Sequence, residues 1–543
     1  MLFNSYEFTC VFLPVTVAVF YALGRGSRDW ALGWLIAASI FFYAWWRPFN
    51  VAIIAPSIVV NFVLARYLRG LAKGTRPGWA QGVLAGGILF NILFLGYFKY
   101  ANFGVTVVND LVGTRYVLEQ IILPLGISFI TFQKIALLID AHAGRIEPFT
   151  LRDYCLFVLF FPQLIAGPIV HLRELMPQFR RCSCRFDAGE ISVGLTLFAF
   201  GLFKKVCIAD KLAGMVGDSF ERAATGQPLS LLPAWLAALG FTFQIYFDFS
   251  GYSDMAVGAA RLFGVKLPAN FDSPLRSSSM IDFWLRWHMS LTRFLTAYVY
   301  NPLALALTRR RLASGRKAIS GRDTTLGAFA QLLVLPTLVT MVVSGVWHGA
   351  GYLFIVWGVL HGVYLSVNHG WRLLASRVWR NKPAYDRVMT PVGFVLTFVC
   401  VVVSMVVFRA STGTEVRSIL AGMAGLNGVD VPTVIWSRLG PLVPLLQGLG
   451  LSEAVETGGP SVIGSVARVG AFGLVALLCP NTLELLRKHE PALGWKPTKR
   501  HVPWLGDLTA WKASPIWTAV VSVVAIAGLL NLGGVSEFLY WQF

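Results

Sequence analysis

The fold class predicted by the sequence is all-α, a polytopic integral membrane helical bundle with re-entrant segments, and three observations predict it. The 543 residues are 56% hydrophobic and only 13% charged, with a mean hydropathy of +0.64. A soluble protein carries about 25% charged residues, so most of this chain's surface is not built for water. Apolar stretches recur at lengths near the roughly 20 residues that a helix needs to cross a bilayer. Backbone polar groups in lipid must be satisfied internally, which selects helices over open strands.

In chain order the expected spans are 6–23, 30–46, 51–65, 80–98, 117–139, 154–170, 190–203, 229–247, 326–347, 351–369, 391–408, 467–479 and 515–532. Several are short, so tilted or re-entrant segments are expected among roughly a dozen membrane helices. The opening Met1–Glu7 has no basic leader and no small-residue cleavage site follows it, which reads as an anchor rather than a signal peptide. Loops 24–29 (Arg25, Arg28) and 66–79 (Arg66, Arg69, Lys73, Arg76) are basic, whereas the turn between them holds only Arg47. By the positive-inside rule those loops face the cytoplasm, which puts the N-terminus outside.

After 154–170, Arg173, Arg180, Arg181 and Arg185 fall on the nominally outer side, and the Gly167-Pro168 break marks that segment as re-entrant. Two further basic blocks are Arg309–Arg311 with Arg316, Lys317 and Arg322, and Arg372, Arg377, Arg380, Lys382 and Arg387. Between them 326–369 reads as a helical hairpin whose turn is Trp347-His348-Gly349-Ala350-Gly351. Residues 410–466, rich in Gly, Ser and Thr, are expected to be an extramembrane loop region with short helices, and 487–501 an ordinary loop.

The net charge of +19 is spread over loops and needs no nucleic acid. Seven cysteines are scattered, and the Cys182-x-Cys184 pair has neither a second pair nor a nearby His, so no disulfide framework and no metal are expected. Gly217-Asp218-Ser219-Phe220 looks like a serine-esterase block but lacks the downstream Asp-x-x-His and the soluble scaffold.

Intramembrane ionisable groups are rare and costly, so they mark function by default. His348 stands between Trp347 and Gly349, where a neutral imidazole can accept a proton from a hydroxyl. A histidine packed across helices is the structural alternative. His288 follows Arg286 and Trp287 and precedes Arg293, a pattern that suits either an anion-binding site or an interfacial helix. His361 and His369 read as structural; His142, His171, His489 and His501 lie in loops. Embedded polar residues recur at Gln133, Lys134, Gln163, Gln244, Asp248, Ser250, Tyr252, Ser253 and Asp254, with the run 247–254 expected to cap a helix or line a wet cavity.

At these residues the chain resembles the membrane-bound O-acyltransferase family, in the branch of bacterial alginate O-acetyltransferases. The resemblance runs over 1–543 as one domain. Its blocks are Met1–Ser5, Leu123–Phe129 with Thr131-Phe132-Gln133, Phe160–Ile169, Gln244–Met255, the two histidine motifs and Glu537–Phe543. It implies a central catalytic tunnel where a cytosolic donor meets an extracytoplasmic acceptor, with His348 as the essential histidine and His288 as the second. Trp347, Gly349, Trp287, Arg286, Tyr298, Asn301, Gln133, Gln244 and Asp248 are candidates to line it. The implied donor is acetyl-CoA or a similar thioester, used as substrate with no bound cofactor. The implied partners are a periplasmic acetyltransferase and a secreted polysaccharide. One departure stands out: where the branch has Arg-Asp-Tyr and Tyr-x-Pro-Leu-Gly-Gly, this chain has Thr296-Ala297-Tyr298 and Tyr300-Asn301-Pro302-Leu303-Ala304-Leu305. This puts alginate itself in doubt as acceptor. Peptidoglycan, lipopolysaccharide or a carrier protein is the alternative within the class. A proton-coupled transporter of acyl donor or glycan, using His348 and Asp248, is the rival from another class, and a structural scaffold for a secretion complex is the third.

Overall fold

A computed structural model describes residues 1–72, 78–319, 324–379, 381–448, 450–453, 462–497, 509–533 and 539. Lys73, Arg76, Arg322, Arg380, His501, residues 454–461 and most of the closing 537–543 block lie outside them. The described chain is built of helices, with one short parallel pair, Val429–Val431 against Leu451–Glu453, within the 410–466 stretch.

Among the described residues, seven helices are long and apolar enough to cross a membrane: Glu7–Gly24, Phe49–Leu71, Trp79–Val112, Ala188–Ala224, Leu231–Arg261, Leu326–His348 and Lys382–Arg409. Val462–Leu478 and Pro515–Leu530 are apolar but shorter. The other expected spans fall on shorter or more polar helices. The stretch 117–139 becomes helical only from Ile127. On Trp79–Val112 exposure is inverted relative to a helix in water: Leu93 is 62% exposed while Asn91 is 1% exposed. Lipid receives the apolar face, and the polar groups pair inside.

The chain divides into two compact units. The first comprises Met1–Phe203, Ser250–Asn270 and Thr482–Val535. Its core is an aromatic nest of Phe3, Phe8, Phe12, Phe42 and Phe161, with Phe3 stacked on Tyr252 at 4.7 Å between ring centroids. Several of its buried polar groups satisfy one another across helices. Asn61 and Asn91 exchange amide hydrogen bonds of 3.0 and 2.7 Å, and Lys134 Nζ donates to Ser57 Oγ at 2.9 Å. Two helical segments, Ala188–Phe203 and the stretch around Gly251 and Gly258, cross with backbones in contact. A Cβ added at Gly194 would lie 2.9 Å from the Gly258 carbonyl oxygen, and one at Gly201 would lie 2.6 Å from that of Gly251. Small residues at such crossings let helices pack through their backbones in lipid.

The broken segment resolves the charge asymmetry noted above. Residues 154–170 form only Leu151–Leu159 and Phe161–Leu164 before the Gly167-Pro168 bend. On the entering side, Arg152 pairs with Asp29 at 2.6 Å; on the leaving side, Arg28 donates to the Arg180 carbonyl. The chain therefore enters and leaves on the side of loop 24–29, and the basic residues 173–185 share that side. The run 247–254 caps nothing: it lies inside the helix Leu231–Arg261. His171 is no idle loop residue but the N-cap of Leu172–Arg181, paired with Glu174 in a capping box.

The second unit comprises Lys204–Phe249, Phe271–Asn481 and Ser536–Phe543. Its central device is the hairpin of Leu335–His348 and Tyr352–Val378. The two helices touch through glycines: a Cβ at Gly358 would lie 2.5 Å from the Met341 carbonyl oxygen, and one at Gly362 would lie 2.8 Å from a Leu338 methyl.

Candidate active site

The hairpin turn carries His348 as the last residue of its first helix, with Gly349 in extended backbone behind it. Glycine is required at 349 because a Cβ there would be driven into the ring of Phe354. That contact fixes where the helix stops and therefore where the imidazole points. His348 is 4% exposed and lies in an aromatic box, its ring 5.1 Å from Trp357, 5.4 Å from Phe408 and 5.0 Å from Trp347.

His288 arrives from elsewhere in the same unit. The sequence around it forms no continuous interfacial helix. Met280–Trp284 ends early, and Met289–Leu295 starts after a break at His288, whose φ of 44° is left-handed. A non-glycine residue seldom adopts that conformation, and such strain is held in place by surrounding packing. Here the packing is aromatic. His288 is fully buried, edge-on to Phe249 at 4.8 Å, and Phe271 and Phe283 pack on Trp287 at 5.0 and 5.5 Å. The outcome is that His288 and His348 face each other with ring centroids 6.4 Å apart. Two buried imidazoles, tilted 49° to each other, thus come together in a site of low polarity.

The remaining candidates divide. Trp347 and Gly349 belong to the box. Trp287 supports it from behind, its ring held between Phe271 and Phe283. Arg286 is engaged structurally, its Nε 3.0 Å from Asp282 Oδ1 and its Nη1 donating to the Asp272 carbonyl. Tyr298 sits in a π-helical turn, Thr296–Tyr300, its ring tilted against Phe294 at 4.9 Å, while Asn301 is exposed. The stretch that departs from the branch pattern is thus a local widening of the helix. Gln244 is buried, and its Oε1 has no hydrogen-bond partner among the described residues. Asp248 is held in a charge cluster, 2.6 Å from Lys205 Nζ and accepting the Leu539 N–H at 3.2 Å. Gln133 belongs to the first unit, where it is buried.

Sequence reasoning did not connect His361, read as structural, to this box: its ring lies 4.6 Å from Trp357, the residue that also flanks His348. Trp284 Nε1 donates to His361 Nδ1 at 3.3 Å. Among the described residues, the buried His361 Nε2, Trp357 Nε1 and Ser344 Oγ have no hydrogen-bond partner, so polar valence remains unused around the box. The available signal was the spacing of Trp357 to His361, four residues, which puts the pair on one face of Tyr352–Val378. No group of three or more His, Cys, Asp or Glu among the described residues is arranged to hold a metal ion.

Residues 38–315 match the membrane-bound O-acyltransferase family, a match that includes His288 and ends before His348. Over the whole of both chains, the protein is 34% identical to a probable alginate O-acetylase of Pseudomonas aeruginosa. It is 36% identical to a peptidoglycan O-acetyltransferase of Helicobacter pylori, across 79% of this chain and 81% of that one. A teichoic acid D-alanyltransferase of Streptococcus thermophilus is 28% identical across 52% of this chain and 68% of its own. Apolar spanning helices and a family match over half the chain, with similarity to an O-acetylase along its full length, lead to one conclusion: this is a multi-pass membrane O-acyltransferase, a member of the membrane-bound O-acyltransferase family.

Proposed function

We propose that the protein moves an acetyl group from acetyl-CoA or a similar cytosolic thioester toward an extracytoplasmic polysaccharide, directly or through a periplasmic partner acetyltransferase. The observation that carries this reading is the juxtaposition of His288 and His348 in one buried aromatic box. His348 takes the proton of the acceptor nucleophile as its oxygen attacks the thioester carbonyl. The carbon–oxygen bond forms, the carbon–sulfur bond breaks, and the thiolate leaves to be protonated. His288, with an N–H aimed at the developing oxyanion, stabilises it by about 3 kcal/mol. The box of Trp347, Trp357 and Phe408 excludes water, which otherwise competes with the acceptor.

The chain works as one functional domain over 1–543, in a bacterial inner membrane with its N-terminus in the periplasm. The basic loops on one side of the first unit support that orientation. Its similarity to relatives named for alginate and for peptidoglycan supports an envelope glycan as acceptor.

The test is transfer from labelled acetyl-CoA by purified protein in liposomes with candidate glycans outside. His348→Ala is expected to lower transfer by roughly 10²–10⁴-fold while folding and expression hold. Undiminished transfer by well-folded His348→Ala sinks the catalytic assignment. Donor uptake without transfer by the wild type would favour the transporter.

A further inference from the structure

Outside the acyl-transfer site, the first unit holds a paired dithiol with its own access. Cys182 ends the helix Leu172–Arg181, and Cys184 follows in a left-handed turn with φ of 49°. That turn brings the two sulfurs to 3.3 Å and points the Cys184 N–H at the Cys182 sulfur, also at 3.3 Å. Gly24 holds the turn in place: a Cβ there would meet the Cys184 carbonyl oxygen and lie 2.7 Å from the Cys184 Cβ. A cavity of about 300 Å³ opens onto both cysteines, with Tyr21, Gln178, Arg181 and Arg185 among its walls. Cys184 is buried, whereas Cys182 is partly exposed. Two thiols this close, beside an open cavity walled by Arg181 and Arg185 and also by Asp187 and Glu190, are arranged for exchange with a small disulfide that carries both ammonium and carboxylate groups.

We infer that Cys182 and Cys184 form a thiol–disulfide exchange site, which closes to an intramolecular disulfide as a small disulfide such as oxidised glutathione is reduced in the cavity. The Cys182 thiolate attacks one sulfur of the incoming disulfide, forming a mixed disulfide and releasing one thiolate. Cys184 then gives its proton to solvent and attacks the Cys182 sulfur, releasing the second. Two electrons pass from the protein to the small disulfide, which leaves as two thiols. Closure ties the end of Leu172–Arg181 to the turn against Gly24. The site is independent of the acyl-transfer reading.

The experiment equilibrates the full-length protein in nanodiscs with mixtures of reduced and oxidised glutathione, blocks free thiols with N-ethylmaleimide, and digests with trypsin. Cleavage after Arg181 and Arg185 releases residues 182–185, which contain both thiols and no other cysteine. The expected wild-type product is this peptide lighter by two hydrogen atoms and free of maleimide, rising with the oxidised fraction. Cys184→Ala is expected to accumulate a glutathione adduct on Cys182, removable by dithiothreitol. In Cys182→Ala, modification of Cys184 is expected to be about tenfold slower or more. Two maleimides on the wild-type peptide at every mixture, or stable glutathione on both thiols, overturns the inference. The wild-type measurement decides alone, so a variant that folds poorly leaves the test intact.

Discussion

His288 and Gly349 are the positions where a single residue's backbone sets the geometry of the candidate site. A left-handed non-glycine costs about 1–3 kcal/mol and persists only where packing over-determines it. At His288 the edge-on cluster of Phe249, Phe271 and Trp287 supplies that packing. Gly349 acts through absence, since its missing Cβ makes room for the Phe354 ring. Gly349→Ala is expected to destabilise by about 1–3 kcal/mol, as overpacking does, and to lower acyl transfer by displacing His348. Adding Phe354→Ala should restore part of the loss in a thermal-unfolding and activity cycle; strictly additive losses would separate the two residues.

Cys182 illustrates electrostatics at the same scale. Its thiol is held below the usual range first by the hydrogen bond from the Cys184 thiol, then by the Cys184 N–H and by the Arg28 charge, against the opposing effect of burial. Tyr21, Arg181, Arg185, Asp187 and Glu190 are the other ionisable groups around the cavity. A lowered value means that thiolate forms at lower pH, so the alkylation rate of Cys182 with iodoacetamide should rise with a midpoint below the ~8.5 of a free thiol. Cys184→Ala removes the donor and should move that midpoint up. A wild-type midpoint at or above ~8.5 would contradict this account.

Elements place charges where single residues cannot. The helix Ala188–Ala224 widens into a π-turn at Lys204–Ala209, and Lys205 from that turn meets Asp210 at 2.8 Å and Asp248 at 2.6 Å. Widened turns interrupt the regular spacing and often mark constrained sites. The pair accounts for a buried carboxylate in an apolar helix without assigning it to a proton path. Lys205→Met leaves Asp248 uncompensated and is expected to cost about 3–5 kcal/mol, whereas Lys205→Met with Asp248→Leu should recover most of it. Thermal unfolding in detergent reads both; equal losses in the single and double variants would show that the ion pair is not the source. The hairpin of Leu335–His348 and Tyr352–Val378 works on the same level, because its glycine contacts fix how deep the turn sits in its own unit.

Across the whole molecule, hydropathy and charge were legible and partnership was not. Composition and the lengths of apolar runs determined an all-helical membrane protein, since lipid admits few other solutions for the backbone. The Gly167-Pro168 break marked the segment that turns back, because a short helix that ends in that pair cannot span. The histidine motifs were visible as ionisable groups in apolar surroundings, where chance retention is costly. Periodicity has no reach beyond one element, so it could not show that Asp248 is neutralised by Lys205, that Arg286 is held by Asp282, or that Asn301 faces outward. It also left His361 apart from the site, because Trp357 joins it to His348 only once the hairpin has closed. The sequence by itself thus determined the class of solvent, the helical character and the residues worth suspecting, all of which follow from local chemistry. Tertiary structure alone decided which of them meet, because the 6.4 Å approach of His288 to His348 depends on packing between segments distant in the chain.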